Sequence, residues 1–156
     1  MKIVNTVVLE NNLKQIENYI PDYEKINPAI SKANVAWHLD HNLKVINALI
    51  TNMKASDVTL FRNNFSFLGK VFFTLGFFPK GKAKAPKHVM PPEIIVKEDI
   101  IKQLMEAIEN IKEIDKLSKN SYFRHPLFGH IPKRRVVRFL NIHTNHHLKI
   151  IKNILN

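Results

Sequence analysis

The feature that most constrains the fold is a set of apolar stripes with helical spacing. Leu9, Leu13, Ile16 and Ile20 follow one another at intervals of four, three and four, and Pro21 ends the stripe. Similar stripes predict three more helices, over residues 31–54, with Ser31 as N-cap, 98–117 and 132–155. No alternating run is long enough for a sheet, so the chain is predicted to be all-α and to form a four-helix bundle.

A long excursion separates the second and third predicted helices. It contains a short helical stretch near residues 61–75 and a loop rich in lysine and proline over residues 79–87. The Phe-rich residues 65–78 fall short of the roughly 20 apolar residues of a membrane span. We expect them to enter the core, to cover the mouth of a site, or to form a partner surface such as a homodimer contact. Residues 118–131 are predicted to be a second loop.

Composition narrows the class of protein. A chain of 156 residues predicts one domain, over residues 1–156. Because there is no cysteine, disulfides, thiolate metal ligands and a cysteine nucleophile are excluded. The four glycines form no phosphate-binding motif. Residues 1–12 lack the pattern of a secretory signal, so we expect a cytoplasmic protein without a membrane span.

The placement of the histidines points to chemistry. On the last predicted helix, His147 lies about 20° and His143 about 60° from the centre of the apolar stripe at Leu140. On the second helix, His38 lies at the edge of its stripe and is expected to be half-buried. His41 lies about 160° from Leu39 and is expected to face solvent.

Buried imidazoles need partners for both ring nitrogens. Three that converge inside a bundle are most simply satisfied by a divalent cation, and Zn, Ni and Fe all accept imidazole ligands. The helical faces therefore predict His38, His143 and His147 as metal ligands. An alternative is that these histidines form a polar network in the core without a metal.

At these residues the sequence resembles a known superfamily. The motifs W-H-L-D-H-N-L (37–43) and H-T-N-H-H-L-K (143–149) resemble those of the DinB/YfiT-like superfamily, and the resemblance extends from about Asn27 to the end of the chain. Members are four-helix bundles that hold a divalent metal with three histidines, one from the second helix and two from the last. Residues 79–86 and 125–130 resemble one branch, whose substrate is unknown. The resemblance implies the same three ligands, with His41 and His146 as the alternatives.

The resemblance also implies an enzyme that acts on a small-molecule substrate. The metal would activate a bound water, as in a hydrolase, or a low-molecular-weight thiol cosubstrate, as in a transferase. Spare imidazoles are expected beside the ligands as supporting or acid–base groups, and Asp40 is expected to face away. No catalytic residue is assigned. The spare imidazoles are His41, His146, His125 and His130.

The net charge of +11 supports a second hypothesis. A non-enzymatic basic module would bind an anionic ligand or partner through Lys133, Arg134 and Arg135, or through the lysines of residues 80–87. No helix-turn-helix, zinc-finger or RNA-binding motif accompanies the charge, so specific binding to nucleic acid is not expected.

Overall fold

The computed structural model describes residues 5–79 and 84–156, and this part of the chain is mostly helical. A two-stranded antiparallel hairpin joins the last two helices. The α-helices are α1 (Val7–Tyr19), α2 (Val35–Ala55), α3 (Phe67–Leu75), α4 (Lys97–Glu113) and α5 (Lys133–Leu155), and the strands are β1 (Tyr122–His125) and β2 (Gly129–Pro132).

Four of the helices enclose the core. α2 packs against α4 and α5, and α1 also packs against α4 and α5, so the four form a closed bundle. The predicted apolar stripes supply the fully buried side chains, which include Leu9, Leu39, Ile50, Ile100 and Leu140. The prediction of a helical bundle is therefore confirmed for the described residues.

Local sequence sets the helix ends. α2 begins at Val35 because the Asn34 side chain accepts a hydrogen bond from the backbone N–H of Trp37, at 2.9 Å. The prediction that Ser31 caps this helix is wrong. The Ser31 hydroxyl instead accepts from the backbone N–H of Ala33 and lies 3.1 Å from Nε2 of His38. The last helix begins directly after Pro132, as predicted.

The hairpin corrects the prediction that residues 118–131 form a loop. Its strands have four residues each, too few to show a period in the sequence. Gly129 has a φ of 76°, which glycine adopts at little cost. The Asn64 side chain accepts from the backbone N–H of His130, and the N–H of Ser66 donates to the carbonyl of Phe128. Contacts from a distant segment therefore hold this turn.

The excursion between α2 and α4 covers one side of the bundle. It contains the expected short helix, α3, which contacts α5. Phe65 is buried and Phe72 packs against the core, whereas Phe67 is 80% exposed. The Phe-rich residues thus divide between core and surface. Lys80 and Lys82 lie outside the described residues. None of the helices in the described part of the chain combines the length and apolarity of a membrane span.

Candidate metal centre and cavity

Three histidines from two helices converge at one point of the bundle. His41 comes from α2, and His143 and His147 come from successive turns of α5. One ring nitrogen from each can be chosen so that all three atoms lie within 4.8 Å of one another. The pair on α5 is the one predicted from the helical stripe, and α2 supplies the third imidazole.

The side chain of His41 is fixed in orientation and in tautomer. Its Nδ1 donates a hydrogen bond to the carbonyl of Val89, at 2.9 Å, since a carbonyl can only accept. Its ring stacks on Trp37 with a centroid separation of 5.1 Å. With Nδ1 protonated, Nε2 of the neutral ring carries a lone pair that is available to a cation.

The prediction that His41 faces solvent is wrong, because its side chain is only 4% exposed. A helical wheel considers the helix alone, whereas here a 3₁₀ turn of the excursion, Lys87–Val89, packs over α2. The excursion therefore both buries His41 and supplies the carbonyl that orients it. Asp40 is also buried, where it accepts from Lys44 at 2.6 Å and from Gln103 at 2.7 Å.

His38 lies behind the cluster. Its Nδ1 is 2.9 Å from Nδ1 of His147, and its Nε2 is 3.1 Å from the Ser31 hydroxyl. One of the two facing Nδ1 atoms must donate. If His147 donates, its Nε2 is left with a lone pair, and His38 can donate from Nε2 to Ser31. The geometric cluster thus differs from the predicted ligand set in one member, with His41 in place of His38.

The electrostatics suit a cation. Burial and the neighbouring imidazoles lower the pKa of His143 and His147 well below the ordinary value, and burial also lowers the pKa of His41. All three rings are therefore neutral near pH 7, the form that binds metals. Nδ1 of His143 is buried and has no hydrogen-bond partner among the described residues. Such an atom is costly to bury, and a metal would satisfy it.

The spacing is compatible with a metal after a small adjustment. A tetrahedral zinc with bonds of about 2.0–2.1 Å holds its ligand nitrogens about 3.3 Å apart. The nitrogens here lie within 4.8 Å, so side-chain rotations would have to bring them closer. The residues therefore fit a divalent cation in ligand type and charge, and His41 also fits it in tautomer.

A cavity of about 890 Å³ adjoins the cluster. Its walls come from α2, α3, α5, the hairpin and the excursion, and most of its surface is apolar or aromatic. Apart from the cluster itself, the polar residues of its described lining are Asn52, Lys84, His88, His125 and His146. Pockets of about 300–1,000 Å³ accommodate drug-sized molecules.

The remaining predicted histidines separate into two groups. His146 and His125 both line the cavity. His130 does not: it stacks on Tyr122 at 4.2 Å, and its Nδ1 accepts from the backbone N–H of Arg62. Sequence reasoning missed Trp37 as a part of the site, although its position one residue before His38 was the available signal.

The basic residues at the start of α5 are engaged with the protein itself. Lys133 donates to the carbonyls of Asp115 and Leu117, at 2.6 and 2.8 Å. Arg134 donates to Asn63, and the guanidinium of Arg135 lies 4.2 Å from the centre of the Phe65 ring. None of the three lines the cavity, and their role in anion binding stays a prediction.

Comparisons with known proteins give a family but no function. No curated protein and no solved structure matches the chain. A family profile described as "Protein of unknown function (DUF1569)" matches residues 68–153. The match spans the hairpin, α4, most of α3 and α5, and both histidines that α5 contributes to the cluster. Since it covers more than half of the sequence, the chain belongs to the DUF1569 family.

Proposed function

We propose that this protein is a metal-dependent enzyme that holds a divalent cation with His41, His143 and His147. It acts on a small molecule bound in the adjacent cavity. The observation that carries the proposal is the convergence of three neutral imidazoles, one of which has a buried nitrogen that no described residue contacts by a hydrogen bond. A core network of histidines alone gives that nitrogen no partner among the described residues.

The proposal includes membership of the DinB/YfiT-like superfamily. Its support is the helical bundle together with the two histidine motifs, 37–43 and 143–149. The first motif offers two imidazoles, and the geometry favours His41 as the ligand and His38 as the group that orients His147. The resemblance to that superfamily is therefore kept, with one ligand exchanged.

The cation, which we expect to be Zn, Ni or Fe, would supply Lewis acidity that lowers the pKa of a water or a low-molecular-weight thiol bound to it. The chain must then accept the proton that is released. No carboxylate lines the cavity among the described residues, and Asp40 is engaged with Lys44 and Gln103. The proton acceptor is therefore an imidazole nitrogen of a lining histidine, such as His146 or His88.

The decisive experiment measures metal content by elemental mass spectrometry on protein purified without a tag or chelator. We expect about one Zn, Ni or Fe per chain in the wild type and none in the His143→Ala/His147→Ala variant. His146→Ala is the matched control, because His146 neighbours His147 but lies outside the cluster, and it should retain the metal. A wild type that binds no divalent ion, even after ions are added back, would overturn the proposal.

A second set of variants distinguishes the two ligand sets. We expect His41→Ala to lose the metal, like the α5 variants. His38→Ala should bind it about 10–100-fold more weakly, since it removes only an orienting partner. His38→Asn places an oxygen near the position of Nδ1 and should recover part of that affinity. Loss of the metal in His38→Ala together with retention in His41→Ala would instead support His38 as the ligand.

The choice between a hydrolase and a transferase needs activity assays on the metal-loaded protein. Panels of ester, amide and phosphate substrates test water activation, and electrophiles offered with a low-molecular-weight thiol test thiol transfer. Activity by either route should disappear when a chelator removes the metal and return when the metal is restored. Activity that survives in His143→Ala/His147→Ala would contradict the assignment of this site.

A further inference from the structure

One histidine of the cavity wall is held in a single tautomer by the backbone of the hairpin. Nδ1 of His125 accepts hydrogen bonds from the N–H groups of Leu127 and Phe128, at 3.1 and 3.2 Å. An imidazole nitrogen that accepts carries no proton in the neutral ring, so the proton must lie on Nε2. His125 therefore presents an N–H donor and not an acceptor.

Aromatic rings fix the position of this donor. The His125 ring stacks on Phe128 with a centroid separation of 4.2 Å and an interplanar angle of 10°, and it forms a T-shaped contact with Phe139 at a centroid separation of 5.5 Å. The Phe139 ring in turn stacks on His143, at 6.2 Å. Phe139 thus separates the donor from the metal cluster along one wall of the same cavity.

The donor stays neutral at physiological pH, since burial lowers the pKa of His125 to about 4. The charges of the lining have a matching bias, because the lining includes Lys84 and none of its described residues is Asp or Glu. The cavity therefore offers apolar surface, a fixed hydrogen-bond donor and a positive charge, and its described lining has no carboxylate that would pair with an ammonium group.

We propose that the cavity binds an apolar carboxylic acid as its anion, and that Nε2 of His125 donates a hydrogen bond to the carboxylate. This assignment names the substrate class of the proposed enzyme and rests on that proposed function. The apolar body of the ligand lies against Phe72, Leu49 and Phe139, which line the cavity between the hairpin and α2. His125 determines specificity and takes no part in proton transfer.

The first test uses a matched pair of probes and the only tryptophan of the chain. Trp37 lines the cavity, so its fluorescence reports occupancy. We would titrate 4-phenylbutyrate and 4-phenylbutylamine, which share one apolar body, into zinc-loaded and metal-free protein. The acid should give a saturable change, and the amine should bind at least about tenfold more weakly. Equal binding, or no saturation by the acid at about 10 mM, would overturn the proposal.

The second test separates contact with the ligand from support of the turn. His125→Asn retains an oxygen near Nδ1 that can accept from the turn, but it loses the donor at Nε2. His125→Gln retains an N–H near Nε2 and loses the acceptor. We expect the Asn variant to bind 4-phenylbutyrate about tenfold more weakly and the Gln variant to stay close to wild type. The reverse order would show a role in the turn alone and would overturn the proposal.

The metal measurement keeps this inference distinct from the proposed function. Both His125 variants should contain as much metal as the wild type, because His125 lies outside the cluster. If the wild type holds no metal but still prefers the acid over the amine, the assignment of the cavity stands and the enzyme proposal fails. If the metal is bound and the preference is absent, the substrate class is wrong and the metal site stands.

Discussion

The apolar core and the histidine-lined cavity share a helix but differ in what their atoms need. Leu140 of α5 is fully buried among apolar side chains, and its contacts are satisfied by packing. His143, three residues further along, has a buried nitrogen without a partner in the described part of the chain, and it adjoins a cavity of about 890 Å³. The core therefore stabilises the fold, whereas the cavity side carries a cost that a bound cation would remove.

The largest expected difference is in the free energy of unfolding when one residue of each region is substituted. Leu140→Ala should lower the free energy of unfolding by about 2–5 kcal/mol, because it leaves a hole in a packed core. His143→Leu should leave the stability of the metal-free protein unchanged or raise it, since it removes an unsatisfied polar atom. Urea unfolding of metal-free protein measures both changes.

Metal content provides the control for this pair of variants. Leu140→Ala should retain the metal at a temperature where it is folded, and His143→Leu should lose it. A strongly destabilised His143→Leu without metal would contradict the comparison, because it would show that the imidazole stabilises the fold by itself.

Two glycines next to segments that line the cavity have backbone conformations that other residues adopt only with strain. Gly76 and Gly129 have φ values of 75° and 76°, so alanine is strained at both. A Cβ at Gly129 would also lie 2.5 Å from the Asn64 carbonyl oxygen, whereas at Gly76 the nearest atom is 3.5 Å away, on the flexible Arg138. We expect Gly129→Ala to cost about 2–4 kcal/mol and Gly76→Ala about 1 kcal/mol in urea unfolding.

The glycine pair also tests whether the hairpin shapes the binding site. Gly129→Ala should weaken 4-phenylbutyrate binding, since a displaced turn moves His125. Gly76 caps the end of α3, outside the hairpin, so Gly76→Ala should affect binding less. Equal losses of stability in the two variants would show that Asn64 can move at little cost, and that the turn is less constrained than its contacts indicate.

The helices were predictable because their information is local. The predicted stripes of the first two helices, Leu9 to Ile20 and Leu39 to Met53, consist of buried residues. The stripe of the last helix is less exact, because Val137 and Leu155 are only partly buried. The hairpin was not predictable, because its turn depends on Asn64 and Ser66, more than 60 residues away in sequence. Two strands of four residues carry too little periodicity to outweigh the loop signals of Pro126 and Gly129.

The candidate site likewise contains residues that the sequence could place and one that it could not. His143 and His147 could be placed from the stripe of one helix, and the structure brings them together. The choice between His38 and His41 could not be made, because it depends on the 3₁₀ turn over α2 and on the carbonyl of Val89. Burial that a neighbouring segment causes leaves no periodic trace in the helix that it covers. The helical wheel of α2 therefore placed the buried His41 on the solvent side.

The two regions should also differ in how stability depends on pH, because most of the histidines with a lowered pKa lie on the cavity side. His130, which lies outside the cavity, adds to the effect. Burial lowers the pKa of His41, His143, His147 and His125 in the folded protein. Histidine in the unfolded chain has a pKa of about 6.5. Below that pH, the unfolded chain binds protons that the native rings do not bind. The metal-free protein should therefore have its full stability above about pH 7 and lose it steadily as the pH falls through 6.5 toward 4.

Urea unfolding at several pH values between about 7.5 and 4.5 measures how the free energy of unfolding changes with pH. Two variants test which residues cause this slope. His125→Gln should bind about one proton fewer on unfolding in this range, because the native ring titrates only at about pH 4. Leu140→Ala should lower stability by the same amount at every pH and leave the slope unchanged, since no titrating group is altered. A flat profile in the wild type would mean that these imidazoles are solvated in the native protein. An equal slope in His125→Gln would remove His125 from the set of buried neutral rings, and with it the reason why this residue acts as a fixed donor.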